Sequence, residues 1–181
     1  IFDYGGRVTV GHVTKLSTAR PAHFKATAKR MNDSGVAVTV LPSTDLFLMG
    51  RIDEKSVKRG VTAAHKLLKD GVNCSLSTNN VLNPFTPFGD CSLLRMANLY
   101  ANICQVGARA EVRDCFDMIT SRSADILRLE EYGIKIGVPA DLVVIDTDQP
   151  ETAVAELTPP LYGFKRGRMT FKRAPVELLS P

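Results

Sequence analysis

Apolar residues along this chain gather in short runs, separated by segments where they recur at helical spacing. Residues 7–11 form a short β-branched run, and residues 72–76 form a similar one. Residues 36–41 are apolar throughout except for one Thr, which is typical of a strand buried on both faces. The pattern therefore predicts three strands in this part of the chain.

Helical spacing follows the first two runs. Phe24, Ala28 and Met31 recur on one face of a helix predicted over residues 19–31. A second helix is predicted over residues 60–69, and the residues between the second strand and this helix are predicted to be a long polar loop. Further helices are predicted over residues 90–106, 111–120 and 123–129.

The alternation of strands and helices indicates an α/β protein with a parallel sheet. In such folds, ligands bind beyond the carboxyl ends of the strands. The second and third strands lead into the long loops 42–59 and 77–89, and long ordered loops are frequently functional. After residue 137, a strand at 141–146 and a hairpin over 161–172 predict a small β appendage.

Three polar groups stand at the predicted strand ends. His12 follows the first strand, where an imidazole binds a metal, acts as acid or base, or simply forms a hydrogen bond at the rim. Asp45 follows the second, where a carboxylate binds a cation or a polar substrate group, or bonds its own turn. Asn79 and Asn80 follow the third and either bind a heterocycle or form a turn, but an amide is no general base.

The loop over residues 83–90 contains two prolines and two aromatic side chains. Prolines stiffen a loop, and aromatic residues line pockets. Phe85 and Phe88 therefore either line a binding site or pack the loop against the rim. His23 and His65 fall in predicted helices and are assigned no function.

Composition excludes several classes of protein. The 181 residues are 44% hydrophobic and 23% charged, as in globular domains and unlike disordered chains. No apolar run approaches the roughly 18–20 residues of a membrane span. The net charge is +4, and the basic cluster over residues 165–173 is predicted to be a solvated hairpin, not a nucleic-acid surface.

Four cysteines without a Cys-x-x-Cys pair favour a reducing, cytoplasmic location. The chain starts with Ile1 and shows no signal-peptide pattern, so we expect a fragment of a longer protein.

The order and spacing of several segments carry a family resemblance. The chain resembles the cytosine deaminase branch of the amidohydrolase superfamily, which is close to N-isopropylammelide amidohydrolase. The tail over residues 132–145 is similar to that superfamily's return into its small β domain. The other segments that carry the resemblance are residues 8–14, 34–36, 48–51, 59–61, 71–73, 80 and 84–89.

The resemblance implies an eight-stranded (β/α) barrel with a metal at its C-terminal face. Residues 1–135 would be the second half of the barrel, strands five to eight, and residues 136–181 the end of the small β domain. His12 would match the fifth-strand metal ligand. The cofactor would be one divalent metal, Zn or Fe, held together with a His-x-His motif on a first strand that this chain does not contain.

Two departures from the family pattern appear at functional positions. Phe47 stands where a sixth-strand His is expected, and Asn79 stands where an eighth-strand Asp is expected. Asn79 has an amide oxygen for a metal but cannot accept a proton. Asp45 is therefore the candidate acid or base, and Asn79 is retained as a candidate catalytic residue and metal ligand. The predicted substrate-binding residues are Phe47, Asn80, Phe85 and Phe88.

Two functions remain open. The whole protein is either a metal-dependent hydrolase of a C–N bond in a cyclic amide or amidine, or a degraded homologue that binds a heterocycle or acts as a scaffold. The isolated chain is predicted to be inactive. Expected partners are a small heterocyclic substrate, the N-terminal half of the barrel and another copy of the protein, but neither nucleic acid nor membrane.

Overall fold

The computed structural model describes residues 4–177 and 179. A short 3-10 turn, Thr14–Thr18, follows the first strand. The strands are β1 (Val8–Gly11), β2 (Val36–Val40), β3 (Cys74–Leu76), β4 (Leu142–Ile145), β5 (Pro160–Lys165) and β6 (Arg168–Lys172). The helices are α1 (Pro21–Asp33), α2 (Pro42–Leu48), α3 (Ala64–Lys69), α4 (Leu93–Ile103), α5 (Arg109–Asp117), α6 (Ser121–Leu127) and α7 (Pro150–Glu156).

The first three strands form a parallel sheet in the order β1-β2-β3, as the alternation predicts. Val38 pairs with Val10 on one side and with Cys74 on the other, so these three side chains share a face. That face is covered by helices, with α1 packed on β2 and with α3, α4 and α6 packed on β3. Strand β2 therefore lies in the middle of the sheet and supplies much of the core.

The opposite face of the sheet is small and polar. The hydroxyls of Thr39 and Ser75 lie 2.9 Å apart, and that of Thr9 lies 3.5 Å from Thr39. These residues alternate with the valines of the core face, as the period of two in a strand requires. The sheet thus has one apolar face for the helices and one polar face that leads toward the strand ends.

The sheet corrects the predicted strand count. Strands five to eight of a barrel would require four parallel strands, but the described residues form a parallel sheet of three. The segment 42–59, predicted to be loop, begins instead with helix α2. Pro42 occupies the first turn of this helix, where its fixed φ is favourable and its missing N–H costs nothing.

Helix boundaries also shift from their predicted positions. Helix α3 begins at Ala64 instead of residue 60. Ser92, and not residue 90, caps α4, because its hydroxyl accepts the Arg95 backbone N–H at 3.2 Å. Helix α7 lies in a segment for which no helix was predicted.

The second sheet is antiparallel, in the order β4-β5-β6. Its hairpin turns at Arg166 and Gly167, which both have positive φ, as predicted for this turn. The Lys165 ammonium and the Arg166 backbone N–H both bond the Asp141 carboxylate. The basic cluster is therefore an exposed hairpin, while a domain boundary near residue 135 stays a prediction.

Helix α7 packs against α4 and α5, away from the second sheet. The Asn98 side-chain amide donates to the Val154 carbonyl at 2.9 Å and fixes this contact. Across residues 4–177, no helix has the length and apolar character needed to cross a membrane.

Candidate functional site

The three strand ends bring together the polar groups that follow them. His12 lies just beyond β1, Asp45 in the first turn of α2 and Asn79 shortly after β3. His12 Nδ1 lies 2.5 Å from Asp45 Oδ1, and His12 Nε2 lies 3.2 Å from Asn79 Nδ2. The imidazole therefore sits between the carboxylate and the amide.

The chemistry of the partners defines the tautomer of His12. An ionised carboxylate only accepts hydrogen bonds, so Nδ1 carries the proton that Asp45 accepts. The Nε2 lone pair then accepts the Asn79 amide N–H. A carboxylate behind Nδ1 fixes the tautomer and the orientation of the ring, the arrangement found behind metal-ligating and catalytic histidines.

Asp45 is buried, with a side chain that is 2% exposed, whereas the His12 side chain is 42% exposed. Burial raises the pKa of Asp45, and the hydrogen bond and electrostatic attraction from His12, together with the Leu41 N–H, oppose that rise. The second carboxylate oxygen accepts the Leu41 backbone N–H at 3.4 Å. The Leu41 N–H thus binds one oxygen of the buried carboxylate, and the partly exposed imidazole of His12 binds the other.

Left-handed backbone conformations occur at this cluster. His12, Val13 and Asn79 have φ of 68°, 45° and 59°, each costing on the order of 1–3 kcal/mol for such residues. The His12 N–H bonds the Thr39 carbonyl at 3.0 Å, and the Thr62 hydroxyl donates to the Val13 carbonyl at 2.8 Å. Strain of this kind concentrates at functional sites, where the surrounding structure holds it in place.

Two predicted aromatic residues meet beside the cluster. Phe47, on α2, lies edge-to-face against Phe88, with ring centroids 5.9 Å apart. The Arg51 guanidinium stacks on Phe47 at 5.3 Å. Phe47 therefore lies on α2, and its alignment with a sixth-strand His stays a prediction. Arg51 had not been singled out in the sequence, because no motif marks it.

Phe85 and Asn80 lie in the segment after β3, and their role in substrate binding stays a prediction. Phe85 is 59% exposed at the tip of the loop. The Asn80 side-chain oxygen accepts the Asn83 amide at 2.9 Å, so that oxygen organises the loop. A hydroxyl pair of 2.7 Å between the buried residues Thr44 and Thr86 joins the loop to α2, and nothing in the sequence pattern marked it.

The fit of a divalent metal to these residues is partial. His12 offers Nε2 in the orientation of a ligand, and Asn79 offers only an amide oxygen. Within residues 4–177, no cluster of three or more His, Cys, Asp or Glu side chains is arranged to hold a metal ion. A metal at this site therefore requires ligands from outside the described residues.

The chain belongs to the Amidohydrolase family, whose model it matches over residues 2–171. It is 28% identical to N-isopropylammelide isopropyl amidohydrolase of Pseudomonas sp. (strain ADP) over 171 residues, 93% of this chain and 39% of the relative.

Solved structures share the fold. 5-Methylcytosine deaminase from Klebsiella pneumoniae, liganded with 5-fluorocytosine, superposes with a TM-score of 0.91 at 26% identity, covering 98% of this chain and 43% of that one. An adenosine deaminase from Xanthomonas campestris with bound Zn gives a TM-score of 0.67 at 16% identity over 92% of this chain and 37% of its own. The chain thus spans about two fifths of the length of these proteins.

Proposed function

We propose that the intact protein hydrolyses a C–N bond of a heterocyclic amide or amidine, with the His12–Asp45 pair handling the proton. The observation that carries this proposal is the convergence of His12, Asp45 and Asn79 at the carboxyl ends of three parallel strands. Family membership and the likeness to a 5-methylcytosine deaminase support the reaction class.

Counting strands supports this role for His12. If β3 is the eighth strand of the barrel, β2 is the seventh and β1 the sixth. His12 then occupies the position of the family's sixth-strand His, which assists catalysis, and not that of the fifth-strand metal ligand. This assignment also removes the need for Phe47 to replace a His.

The chain's own residues act as follows in the proposed reaction. The neutral imidazole of His12 accepts a proton at Nε2. Nδ1 keeps its own proton and donates a hydrogen bond to the Asp45 carboxylate, which stabilises the imidazolium that forms. Asn79 then releases Nε2 and turns its amide to the heterocycle. Phe47 and Phe88 pack against the flat ring, and His12 returns the proton to the departing nitrogen.

A divalent metal, when bound, supplies a water of lowered pKa as the nucleophile. Of the described residues, Asn79 would offer its amide oxygen as a ligand, and the principal ligands would come from elsewhere in the intact protein.

One observation favours a second function. Asn79 stands where the resemblance places a carboxylate, and its amide blocks Nε2 in the present arrangement. The intact protein would then bind the heterocycle without hydrolysing it. Tight binding of a heterocycle without release of ammonia or amine would identify this case.

The test is a hydrolysis assay of the intact protein with 5-methylcytosine and N-isopropylammelide, the compounds in the names of its relatives. We expect release of ammonia or amine, and Asp45→Asn should lower kcat/KM about 10²–10⁴-fold, because the general base loses its charged partner. Asp33→Asn is the matched control, since Asp33 is an exposed partner of Lys29 on α1. Equal activity in Asp45→Asn and Asp33→Asn would contradict the proposal.

A further inference from the structure

A second cavity of about 300 Å³ lies outside the sheet, between the 3-10 turn, the segment over residues 58–66 and the end of α4. His12, Asp45 and Asn79 of the strand-end cluster do not belong to its lining. Three cations, Lys58, Arg59 and Lys66, line it, and its lining contains no acidic side chain.

His65 contributes an imidazole to the wall of this cavity. The residue is 5% exposed, and the Tyr100 hydroxyl lies 2.9 Å from its backbone N and 2.7 Å from its Nδ1. In the tautomer that a donating Nε2 requires, the hydroxyl accepts the backbone N–H and gives its own proton to Nδ1, so that Nε2 carries the ring N–H. Within the described part of the chain, Nε2 forms no hydrogen bond, and His65 belongs to the lining of the cavity.

The cationic side chains that line the cavity can also interact with a ligand. One Arg59 nitrogen donates to the Ile103 carbonyl, which fixes the guanidinium and leaves its other N–H groups free of partners among residues 4–177. Lys66 forms no ion pair in that range, and the Lys58 ammonium lies 3.9 Å from Asp53. The hydroxyls of Ser17 and Thr18 already donate to backbone carbonyls and contribute no proton.

We propose that this cavity binds the phosphate group of a small molecule, with His65 Nε2 and Arg59 donating and Lys58 and Lys66 supplying charge. A fixed guanidinium with free N–H groups matches a phosphate, and the bonds that form are charge-assisted. The volume lies at the lower end of small-molecule sites, which suits free phosphate or a small phosphate monoester. The site is independent of the proposed hydrolase reaction.

The test is calorimetric titration of the intact protein with inorganic phosphate and, separately, with ribose 5-phosphate. We expect saturable binding of at least one of them, weakened about tenfold by Lys66→Ala, because one charge-assisted interaction is lost. Tighter binding of ribose 5-phosphate identifies an ester as the ligand, and equal binding identifies the phosphate group alone.

Lys69→Ala is the matched control on the same helix, since Lys69 pairs with Glu111 and does not line the cavity. It should leave the affinity within about twofold. His65→Gln should also weaken binding while the protein stays folded. Absence of saturable binding of both probes, or equal losses in Lys66→Ala and Lys69→Ala, would overturn the proposal.

Discussion

Two histidines in this chain are held in the same way but by different partners. Each has Nδ1 bonded to an oxygen from a distant element, which is Asp45 for His12 and Tyr100 for His65. The His12 side chain is 42% exposed at the strand ends, and His65, on α3, is 5% exposed. The comparison shows how the partner and the burial, more than the histidine itself, define what an imidazole can do.

The partners differ in charge. The Asp45 carboxylate stabilises a positive ring, so His12 can gain and lose a proton during a reaction. Burial raises the pKa of Tyr100 far above its ordinary value, so the phenol stays neutral. Burial also lowers the pKa of His65. His12 is therefore suited to proton transfer, and His65 to donating one fixed hydrogen bond.

The largest difference in stability should come from the Tyr100 hydroxyl. Tyr100→Phe leaves the His65 backbone N–H and Nδ1 without a partner. We expect the free energy of unfolding of the intact protein to fall by about 1–3 kcal/mol, measured by denaturant titration. Tyr132→Phe, at a residue 38% exposed, should change it by less than about 0.5 kcal/mol. If the two variants were equally stable, the His65–Tyr100 pair would not be a structural unit.

A smaller effect should appear as pH changes. Because the pKa of His65 is lowered in the folded state from 6.5, its contribution to stability is complete above pH 6.5 and is lost as the pH falls below that value. Glu111 and Asp114 favour the charged ring, and Lys66 and Lys69 oppose it. The loss is at most about 1.4 kcal/mol per pH unit.

Denaturation of the intact protein at several pH values on either side of 6.5 measures this slope. His65→Gln keeps an amide that bonds Tyr100 but does not titrate, so the fall in stability toward acid should be smaller than in the unchanged protein. The same slope in both proteins would mean that His65 does not titrate with folding.

Much of the sheet could be predicted from the sequence, because continuous β-branched runs have few alternatives to a buried strand. Residues 36–41 became β2, and 72–76 became β3, with small shifts at the ends. Helix α2 was not predicted, because its Pro-led sequence resembles a loop, and the contacts that stabilise it come from Thr86 and α4.

The site could be predicted only in part. His12, Asp45 and Asn79 could be identified as candidate site residues because each follows a predicted strand, and the carboxyl ends of parallel strands lie at one edge of the sheet. Which side chains pair with one another depends on the folded structure, because the partners lie far apart in the sequence. His65 is an example. It was set aside as a helix residue, because its partner Tyr100 lies 35 positions away and no spacing rule connects them.

The most direct test of the central claim combines activity and metal content of the intact protein in one variant. His12→Ala should lower kcat/KM for the heterocyclic substrate about 10²–10⁴-fold while the metal bound per chain stays as in the unchanged protein, because His12 transfers a proton and does not hold the metal. Loss of the metal together with activity would make His12 a ligand, and activity within a few-fold of the unchanged protein would contradict the account.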